Sequence, residues 1–365
     1  MAGRLGARTL GFWATLAGVF WILVGYPVSL LLFRPRRWRQ DSLEPSVTVL
    51  VPTYYERDTL PRKLQSVASL DYPADRIQVV VAVDGNAELA KIARAELPSA
   101  EVVVLPERSG KPTALNLGLE AAKGEIVVLT DAHNPLDPRS VRRAVRHFAD
   151  KDIWAVTGRC VEAGSAYDRY ENLLRRLETR SGSVAGMFGG FTAIRRGKVP
   201  KFPPEVVNED LWLLCHLVRD GGRVIYEPEA SSHEPSLATR REVERRTRIS
   251  AGRMMLLNEM QGLPPTFLWR LTSHKLGRLA LPFLLLGTFV FSLSLARRPH
   301  YRGVAAVQSL GYGIGALDAA GHRLPLVPRW ASGLLRQFVL GNYAAGAGVI
   351  RALRRRQSVL WNRVR

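Results

Sequence analysis

Two strand-like runs in this chain each end in an acidic side chain. Residues 79–83 are apolar and lead into Asp84, and residues 125–130 lead into Asp131, with His133 two positions further on. A single aspartate after a strand is often only a turn or helix cap, so the ordered set carries the argument. One carboxylate and one imidazole can hold a divalent cation that takes its other ligands from phosphate oxygens and water. The second run therefore predicts a metal site suited to a phosphorylated ligand.

A lysine and a second acidic pair would complete such a site. Lys111 lies in a flexible turn, residues 108–116, that opens a predicted helix, and a lysine at a helix N-terminus suits phosphate. The full P-loop pattern is absent, which disfavours P-loop chemistry. Glu209 and Asp210 precede a helical stretch, where they either stabilise the helix start or place a general base in the cleft. Together these groups describe displacement at a carbon that bears a nucleotide diphosphate.

The elements that must position these groups alternate between residues 45 and 235. Strands are predicted at 47–51, 77–83, 102–105 and 126–130, and helices near 58–70, 87–96, 112–122 and 138–150. Near-continuous apolar runs are typical of strands buried on both faces. The alternation predicts an α/β domain of βαβ units with a parallel sheet. Ligands of open α/β sheets bind outside the carboxyl ends of the strands, where the acidic residues are expected.

Apolar segments flank this domain. Residues 10–33 carry no charge and are long enough for a span of about 20 residues, while no small-residue cleavage site of a signal peptide follows them. Arginines are denser after this segment than before it, so the positive-inside rule predicts an integral protein of the cell membrane with a cytoplasmic catalytic domain. Further apolar segments occur at 279–296, 303–320 and 333–350. Three more spans would place the arginine-rich tail outside, against the same rule, and the sequence leaves this conflict open.

A basic segment joins the two parts. Residues 236–278 are arginine-rich and then amphipathic, with Trp269 beside Arg270 and Lys275, as expected of an interfacial helix. The predicted units are therefore 1–40, a transmembrane helix with a basic flank; 41–235, the catalytic domain; 236–278, the interfacial segment; and 279–365, transmembrane helices with a basic tail.

The charge pattern favours lipid and phosphate over nucleic acid as a partner. The formal net charge is +20, but many arginines flank apolar segments or lie at 240–253. That placement suits anionic lipid headgroups and phosphorylated ligands. The two cysteines, Cys160 and Cys215, indicate neither a disulfide framework nor a cysteine-rich zinc site.

Over residues 45–253 the motifs resemble family-2 glycosyltransferases of the GT-A fold, a Rossmann-like nucleotide-sugar-binding fold. The resemblance is to the membrane-embedded kind that includes cellulose, chitin and hyaluronan synthases. It implies a nucleotide pocket that is lined by Pro52, Tyr54, Glu56 and Asp84. It also implies that Lys111 lies near the donor sugar.

The resemblance further implies roles for the metal motif and the acceptor side. Asp131-Ala132-His133 matches an Asp-x-Asp motif for Mg²⁺ or Mn²⁺, with a histidine at the third position. His233 is either an extra metal ligand or a structural histidine. The acceptor side would be formed by Gly189, Gly190, Phe191 and Glu209. Asp210 would deprotonate the acceptor hydroxyl, and attack from the opposite face would invert the anomeric centre.

One motif departs from the family pattern. Polymerising members carry Gln-x-x-Arg-Trp, whereas the matching stretch here is Arg245-Arg246-Thr247-Arg248-Ile249. Arg245 and Arg248 remain candidates for the diphosphate, because an arginine can meet phosphate oxygens bidentately. Ile249 removes the aromatic platform for an acceptor sugar, which weakens the case for processive synthesis.

The sequence thus predicts an inverting, metal-dependent glycosyltransferase that moves a sugar, expected from a UDP-sugar, to a membrane-associated glycan, with a polysaccharide-synthase-like architecture. One alternative is a transferase that adds a single sugar to a lipid-linked acceptor. Another is a non-catalytic membrane module that binds a nucleotide sugar. A third, a nucleotidyltransferase, would release pyrophosphate instead of a nucleoside diphosphate.

Overall fold

Seven strands form one sheet in the computed structural model, which describes residues 2–161, 166–233, 239–322 and 324–355. The strands are β1 (Val47–Thr53), β2 (Ile77–Val83), β3 (Glu101–Val104), β4 (Ile126–Leu129), β5 (Ile153–Val161), β6 (Thr192–Arg195) and β7 (Arg223–His233). Their spatial order is β3-β2-β1-β4-β6-β5-β7. The predicted boundary between the second and third units, at residues 235 and 236, lies outside the described residues, as does the tail from 356 to 365.

The helices surround this sheet and continue beyond it. In chain order they are α1 (Ala2–Phe20), α2 (Tyr26–Leu30), α3 (Leu60–Ala68), α4 (Ala87–Glu96), α5 (Lys111–Ala121), α6 (Ser140–Val145), α7 (Ala166–Ser181), α8 (Glu209–Arg219), α9 (Thr239–Met255), α10 (Pro265–Leu271), α11 (Gly277–Ser294), α12 (Pro299–Ala319) and α13 (Arg329–Leu353). Turns of π-helix join α1 to α2 at Trp21–Gly25 and α10 to α11 at Thr272–Leu276.

The pairing of the strands is parallel in the first half of the sheet and mixed in the second. Strand β1 pairs in parallel with β2 and β4, and β2 pairs in parallel with β3, so the parallel pairing predicted for these four strands is confirmed. Strand β6 runs antiparallel to both β4 and β5. This direction places the start of β6, rather than its end, at the edge where β1 and β4 finish.

Alternate residues of the inner strands enter two different cores. Val49 and Val51 of β1 pack with α3, α4 and α6 on one face, while Leu50 packs with α5 and α8 on the other. All three side chains are 0% exposed. Burying each of them stabilises the fold by roughly 1.5–3 kcal/mol. The prediction of strands buried on both faces is confirmed.

Two continuous helices among the described residues are long and apolar enough to cross a membrane. They run over Gly6–Leu30 and Pro265–Ser294, and the criterion is length and composition alone. These match the predicted segments 10–33 and 279–296. The segments at 303–320 and 333–350 form the helices α12 and α13, and their role as spans stays a prediction.

A buried polar cluster joins the two apolar helices to α7 of the α/β domain. Glu178 is 0% exposed and accepts a hydrogen bond from the Tyr26 hydroxyl at 2.6 Å, with His274 Nδ1 at 2.7 Å. Glu171 pairs with Lys275 at 3.4 Å. Arg270 and Lys275 were expected at the membrane surface, but they are 4% and 6% exposed. They turn inward because α7 supplies acceptors for both cations: backbone carbonyls for Arg270 and the Glu171 carboxylate for Lys275.

Candidate active site

The site lies where the strand order reverses. From β1 the chain proceeds outward through β2 to β3, and then returns to β4 on the other side of β1. The loops after β1 and β4 therefore leave in opposite directions and open a crevice, the usual ligand position of an open α/β sheet. Asp131 follows β4 closely, and its N–H donates to the Gly189 carbonyl at 3.2 Å. The approach to antiparallel β6 thus reaches the same crevice.

Three carboxylates and one lysine converge at this crevice. The Lys111 ammonium lies 2.6 Å from Asp131 Oδ1 and also pairs with Glu209. A Cβ atom on Gly189 would lie 2.9 Å from Asp210 Oδ2 and 3.0 Å from Asp131 Oδ2, so the backbone at Gly189 lies close to both carboxylates. The structure therefore brings together five of the predicted site residues, including Gly189.

The helix that carries the acidic pair begins at the site for a local reason. The Asn208 side chain caps α8 by accepting the N–H of Leu211 at 3.2 Å. This cap fixes Glu209 and Asp210 in the first turn, where the helix dipole stabilises negative charge. Asp210 is thereby aimed at the sheet edge by the backbone as well as by its own packing.

The electrostatics of the cluster separate the roles of its members. Burial, followed by the charge of Glu209, raises the pKa of Asp210 to about 7. Burial alone would lower the pKa of Lys111, but the carboxylates of Asp131 and Glu209 outweigh it and hold that pKa above its usual range. The pKa of Asp131 is lowered, because the Lys111 charge outweighs the cost of burial. Asp131 is thus the fixed anion, and Asp210 is the carboxyl most able to take a proton near neutral pH.

The turn before Lys111 is held by Asp84. The two carboxylate oxygens of Asp84 accept the N–H groups of Ser109 at 2.6 Å and Gly110 at 2.9 Å. Gly110 has a φ of 95°, a backbone conformation that side chains disfavour. Asp84 is 0% exposed, and its contact with a nucleotide stays a prediction. In this structure its role is to position Lys111.

The loop after β1 is organised by Glu56. Its Oε2 accepts hydrogen bonds from the backbone N–H groups of Tyr54 at 2.8 Å and Tyr55 at 3.0 Å. The Arg108 guanidinium stacks on the Tyr54 ring at 4.2 Å from the centroid. Pro52 lines the crevice beside Asp131 and Asp210. Of the predicted nucleotide residues, Pro52 lines the crevice, Tyr54 is half-buried, and Glu56 shapes the turn.

Part of the chain matches a known protein family. Residues 48–201 match the family model described as Glycosyl transferase family 2. The enzyme class predicted from the sequence is confirmed at the level of this domain, and the α/β sheet confirms the predicted fold class.

Two relatives are similar to this chain over part of its length. The chain is 27% identical over 209 residues to a poly-beta-1,6-N-acetyl-D-glucosamine synthase of Staphylococcus aureus, covering 52% of this chain and 50% of the relative. It is 26% identical over 136 residues to the glycosyltransferase AglE of Haloferax volcanii, covering 35% and 45%. The chain thus spans about half the length of the curated relatives it matches.

The structural comparison covers nearly the whole chain. The mannosyltransferase PcManGT from Pyrobaculum calidifontis, solved in complex with GDP-Man and Mn²⁺, superposes with a TM-score of 0.75 at 24% identity. The superposition covers 95% of this chain and 99% of that chain. The likeness establishes the fold, and it extends over the helices that flank the family 2 domain.

The loop that carries the metal motif is tied down by a lysine that the sequence did not reveal. Lys63 is 0% exposed and donates to Thr130 Oγ1 and to the Asn134 carbonyl, both at 2.6 Å. The Thr130 hydroxyl donates in turn to the Gly190 carbonyl at 2.7 Å. Lys63 therefore connects the residues on both sides of Asp131–His133 to α3 by hydrogen bonds. Its position on the apolar face of α3, with Leu60, Leu64 and Val67, was the available signal.

The side chains at this loop suit a divalent cation that takes most of its ligands from substrate phosphates and water. Among the described residues, no group of three His, Cys, Asp or Glu side chains is arranged to hold a metal. Asp131 supplies a hard oxygen ligand, and His133 is close enough to help lower the pKa of Asp131. His233 adjoins the same loop, since its N–H donates to the Pro135 carbonyl at 2.8 Å. Mg²⁺ commonly binds through one or two carboxylates plus substrate phosphates, which this set allows.

The predicted acceptor-side glycines and Phe191 lie in the loop before β6, whereas Arg245 and Arg248 lie on α9. Phe191 is 0% exposed in the core and Gly190 is buried beside it, so any acceptor contact of this loop falls to Gly189. Arg245 is held on α9 by Glu242 at 2.9 Å. Arg248 lies one turn before Gly252, on the same face of the helix.

Helix α9 reaches the site through Gly252. A Cβ atom on Gly252 would lie 3.0 Å from the Cβ atom of Asn208, the residue that caps α8. Helix α9 therefore lies close to the acidic pair through Gly252, while the described contacts of Arg245 and Arg248 are with other residues. The diphosphate roles of Arg245 and Arg248 stay predictions.

Proposed function

We propose that this protein is an inverting glycosyltransferase that moves one sugar from a nucleotide-diphosphate sugar to a membrane-associated acceptor. The observation that carries the proposal is the convergence of Lys111, Asp131 and Asp210 at the carboxyl edge of a family 2 domain. A binding module needs the phosphate and metal ligands, but it has no need of a half-buried carboxyl with a raised pKa beside them.

The proposed reaction is a single displacement. Asp210 accepts the proton of the acceptor hydroxyl, and the hydroxyl oxygen forms a bond to the anomeric carbon. The bond between that carbon and the diphosphate oxygen breaks on the opposite face, so the configuration inverts. The nucleoside diphosphate leaves with the electron pair of the broken bond.

Cationic groups stabilise the leaving diphosphate. Lys111 opens α5, so its ammonium and the first N–H groups of that helix present positive charge together. A bound divalent cation on Asp131 would neutralise the phosphate charge that develops as the bond breaks. Arg248, from α9, is the further candidate. Preorganised charges of this kind usually supply the largest part of the rate enhancement.

The site needs rearrangement to admit the donor. The pocket that is lined by Pro52, Lys111, Asp131, Gly189 and Asp210 has a volume of only about 10 Å³, close to the space for one water. Lys111 bridges two carboxylates across it. We expect the donor diphosphate to draw the ammonium away from these carboxylates, which frees them for the metal and the acceptor.

The donor and acceptor classes follow from the sequence and the relatives. A UDP-sugar is the donor that the sequence predicts, and the mannosyltransferase solved with GDP-Man makes a GDP-sugar the first competitor to test. Ile249 in place of the family tryptophan favours single addition over polymerisation. The apolar helices Gly6–Leu30 and Pro265–Ser294 would hold a cytoplasmic site against the bilayer, where a lipid-linked acceptor is presented.

The proposal is tested by the release of nucleoside diphosphate from full-length protein purified in detergent. UDP-, GDP- and dTDP-sugars are offered with Mg²⁺ or Mn²⁺ and a lipid extract as the acceptor source. The Asp210→Asn variant is compared with Asp220→Asn, an exposed acid at the other end of the same helix. We expect release with one donor, lost in Asp210→Asn and kept in Asp220→Asn.

Other outcomes would overturn the proposal. Release of pyrophosphate would indicate a nucleotidyltransferase. Donor binding without any release, in the presence of the lipid extract, would indicate a binding module. Products that lengthen during the reaction would replace single addition with polymerisation.

A further inference from the structure

A large groove lies between the helices that follow the α/β domain. It has a volume of about 880 Å³, within the range of roughly 300–1,000 Å³ that small-molecule sites occupy. Its walls come from α11, α12 and α13, and most of the lining side chains are apolar, among them Phe283, Leu286, Phe289, Val339 and Ile350. A groove of this kind favours a hydrocarbon chain.

One end of the groove is basic. Arg351 and Arg354 lie on the last turn of α13 and directly after it, three residues apart and therefore on one face. Arg351 is fixed by two hydrogen bonds to Glu244 of α9, at 2.6 and 3.1 Å. Because Glu244 takes one N–H from each terminal nitrogen of Arg351, a phosphate would meet the exposed Arg354 guanidinium bidentately and the remaining N–H groups of Arg351.

A single helix connects this basic end with the acidic site. A Cβ atom on Gly348 of α13 would lie 2.5 Å from Ser250 Cβ of α9, so the two helices touch. On the same helix, Gly252 packs against Asn208, the cap of the helix that carries Asp210. Helix α9 is thus in contact with the groove helix and with the catalytic helix within one turn of its own length.

We infer that this groove binds the lipid that carries the acceptor, with its hydrocarbon chain along α11 and α13 and its phosphate at Arg351 and Arg354. The inference rests on the proposed function, since it names the acceptor class of the same site. The wall α11 belongs to the span candidate Pro265–Ser294, so a chain enters the groove from the bilayer itself. The charge at one end selects a lipid with a phosphate over a neutral one.

The inference is tested by lipid binding to the full-length protein, measured by native mass spectrometry in detergent. The probe is a polyprenyl monophosphate, and the comparison lipids are the polyprenol without phosphate and phosphatidylglycerol. Gly346→Leu fills the groove, because a Cβ there meets only Pro282, at 3.7 Å. Gly333→Leu is the matched control on the same helix, where a Cβ meets nothing within 4 Å. Arg354→Gln removes one charge from the basic end.

We expect Gly346→Leu to abolish binding of the polyprenyl monophosphate and Gly333→Leu to retain it. Arg354→Gln weakens binding about tenfold, the usual effect of losing one charge-assisted hydrogen bond. Unchanged binding in both Gly346→Leu and Arg354→Gln would overturn the inference. Equal retention of phosphatidylglycerol would show that the groove takes bulk lipid, which would overturn it as well.

The two proposals fail separately. Lipid binding is measured without any donor, so it is observed even if the protein releases no nucleoside diphosphate. If Gly346→Leu loses its fold, as a changed elution profile would show, Arg354→Gln at the exposed end decides the question alone.

Discussion

Replacing Lys63 tests how the metal loop is held. Lys63→Met keeps the length of the side chain but removes the donor of both 2.6 Å hydrogen bonds, to Thr130 Oγ1 and to the Asn134 carbonyl. Each buried acceptor left without a partner costs about 1–3 kcal/mol. Removing an ammonium that is 0% exposed returns part of this, because its burial lowers the pKa of Lys63 well below its usual range. We expect a net loss of stability of roughly 1–3 kcal/mol.

The effect on activity is expected to exceed the effect on stability. The two acceptors of Lys63, Thr130 and Asn134, flank the predicted metal ligands Asp131 and His133. Without the hydrogen bonds from Lys63, this loop loses two of its connections to α3. A misplacement of about 1 Å at a reacting centre can cost a factor of about 100 in rate. We expect kcat for nucleoside diphosphate release to fall about 10- to 100-fold, and the Mn²⁺ concentration for half-maximal activity to rise.

The assay separates positioning from general destabilisation. Release is measured against Mn²⁺ concentration at a temperature well below the unfolding midpoint of both proteins. The control is Lys123→Met, since the Lys123 side chain is 79% exposed in the same domain. Wild-type kcat together with an unchanged Mn²⁺ requirement in Lys63→Met would refute the assignment of Lys63 as a positioning residue.

Three further changes test other parts of the account. Lys111→Met removes the cation at the diphosphate, and we expect kcat to fall about 100-fold or more, with unchanged turnover as the contradicting result. His147 and Arg146 outweigh burial and lower the pKa of Glu227 to about 2, so its charged form contributes about 3 kcal/mol of stability above pH 5, lost as the pH falls towards 2. Unfolding of Glu227→Gln measured against pH is expected to lose that acid dependence, and an unaltered profile would contradict the argument. Tyr26→Phe removes the 2.6 Å hydrogen bond to Glu178, and we expect the unfolding midpoint to fall by an amount equivalent to about 1–2 kcal/mol; a midpoint equal to that of wild type would count against the buried cluster as the joint between the helices and the domain.

The sequence predicted the groups whose positions follow from local pattern. Asp131 and Lys111 could be placed because an apolar run ends at one and a helix begins at the other. Asp210 lies at the start of a helix and not at the end of a strand, so its place beside them was expected only from the resemblance to the family. These are the residues that the structure brings together.

The contacts that the sequence did not reveal depend on tertiary partners. Lys63 and Lys275 are lysines that local pattern assigns to solvent or lipid headgroups, yet each is buried where another element supplies its acceptors. The carboxylate of Asp84 closes the turn before Lys111, and its contact with a nucleotide stays a prediction. Phe191 was expected at the acceptor, but it fills the core behind Gly189. No periodicity in the chain encodes which carboxylate or carbonyl a side chain will meet.

The most direct test of the central claim is nucleoside diphosphate release by the Asp210→Asn variant. The account predicts that the variant binds the donor, measured by calorimetry with Mn²⁺, but releases nucleoside diphosphate at least about 100-fold more slowly than the wild type and Asp220→Asn. Release at the wild-type rate from Asp210→Asn would contradict the assignment of Asp210 as the base and, with it, the proposed mechanism.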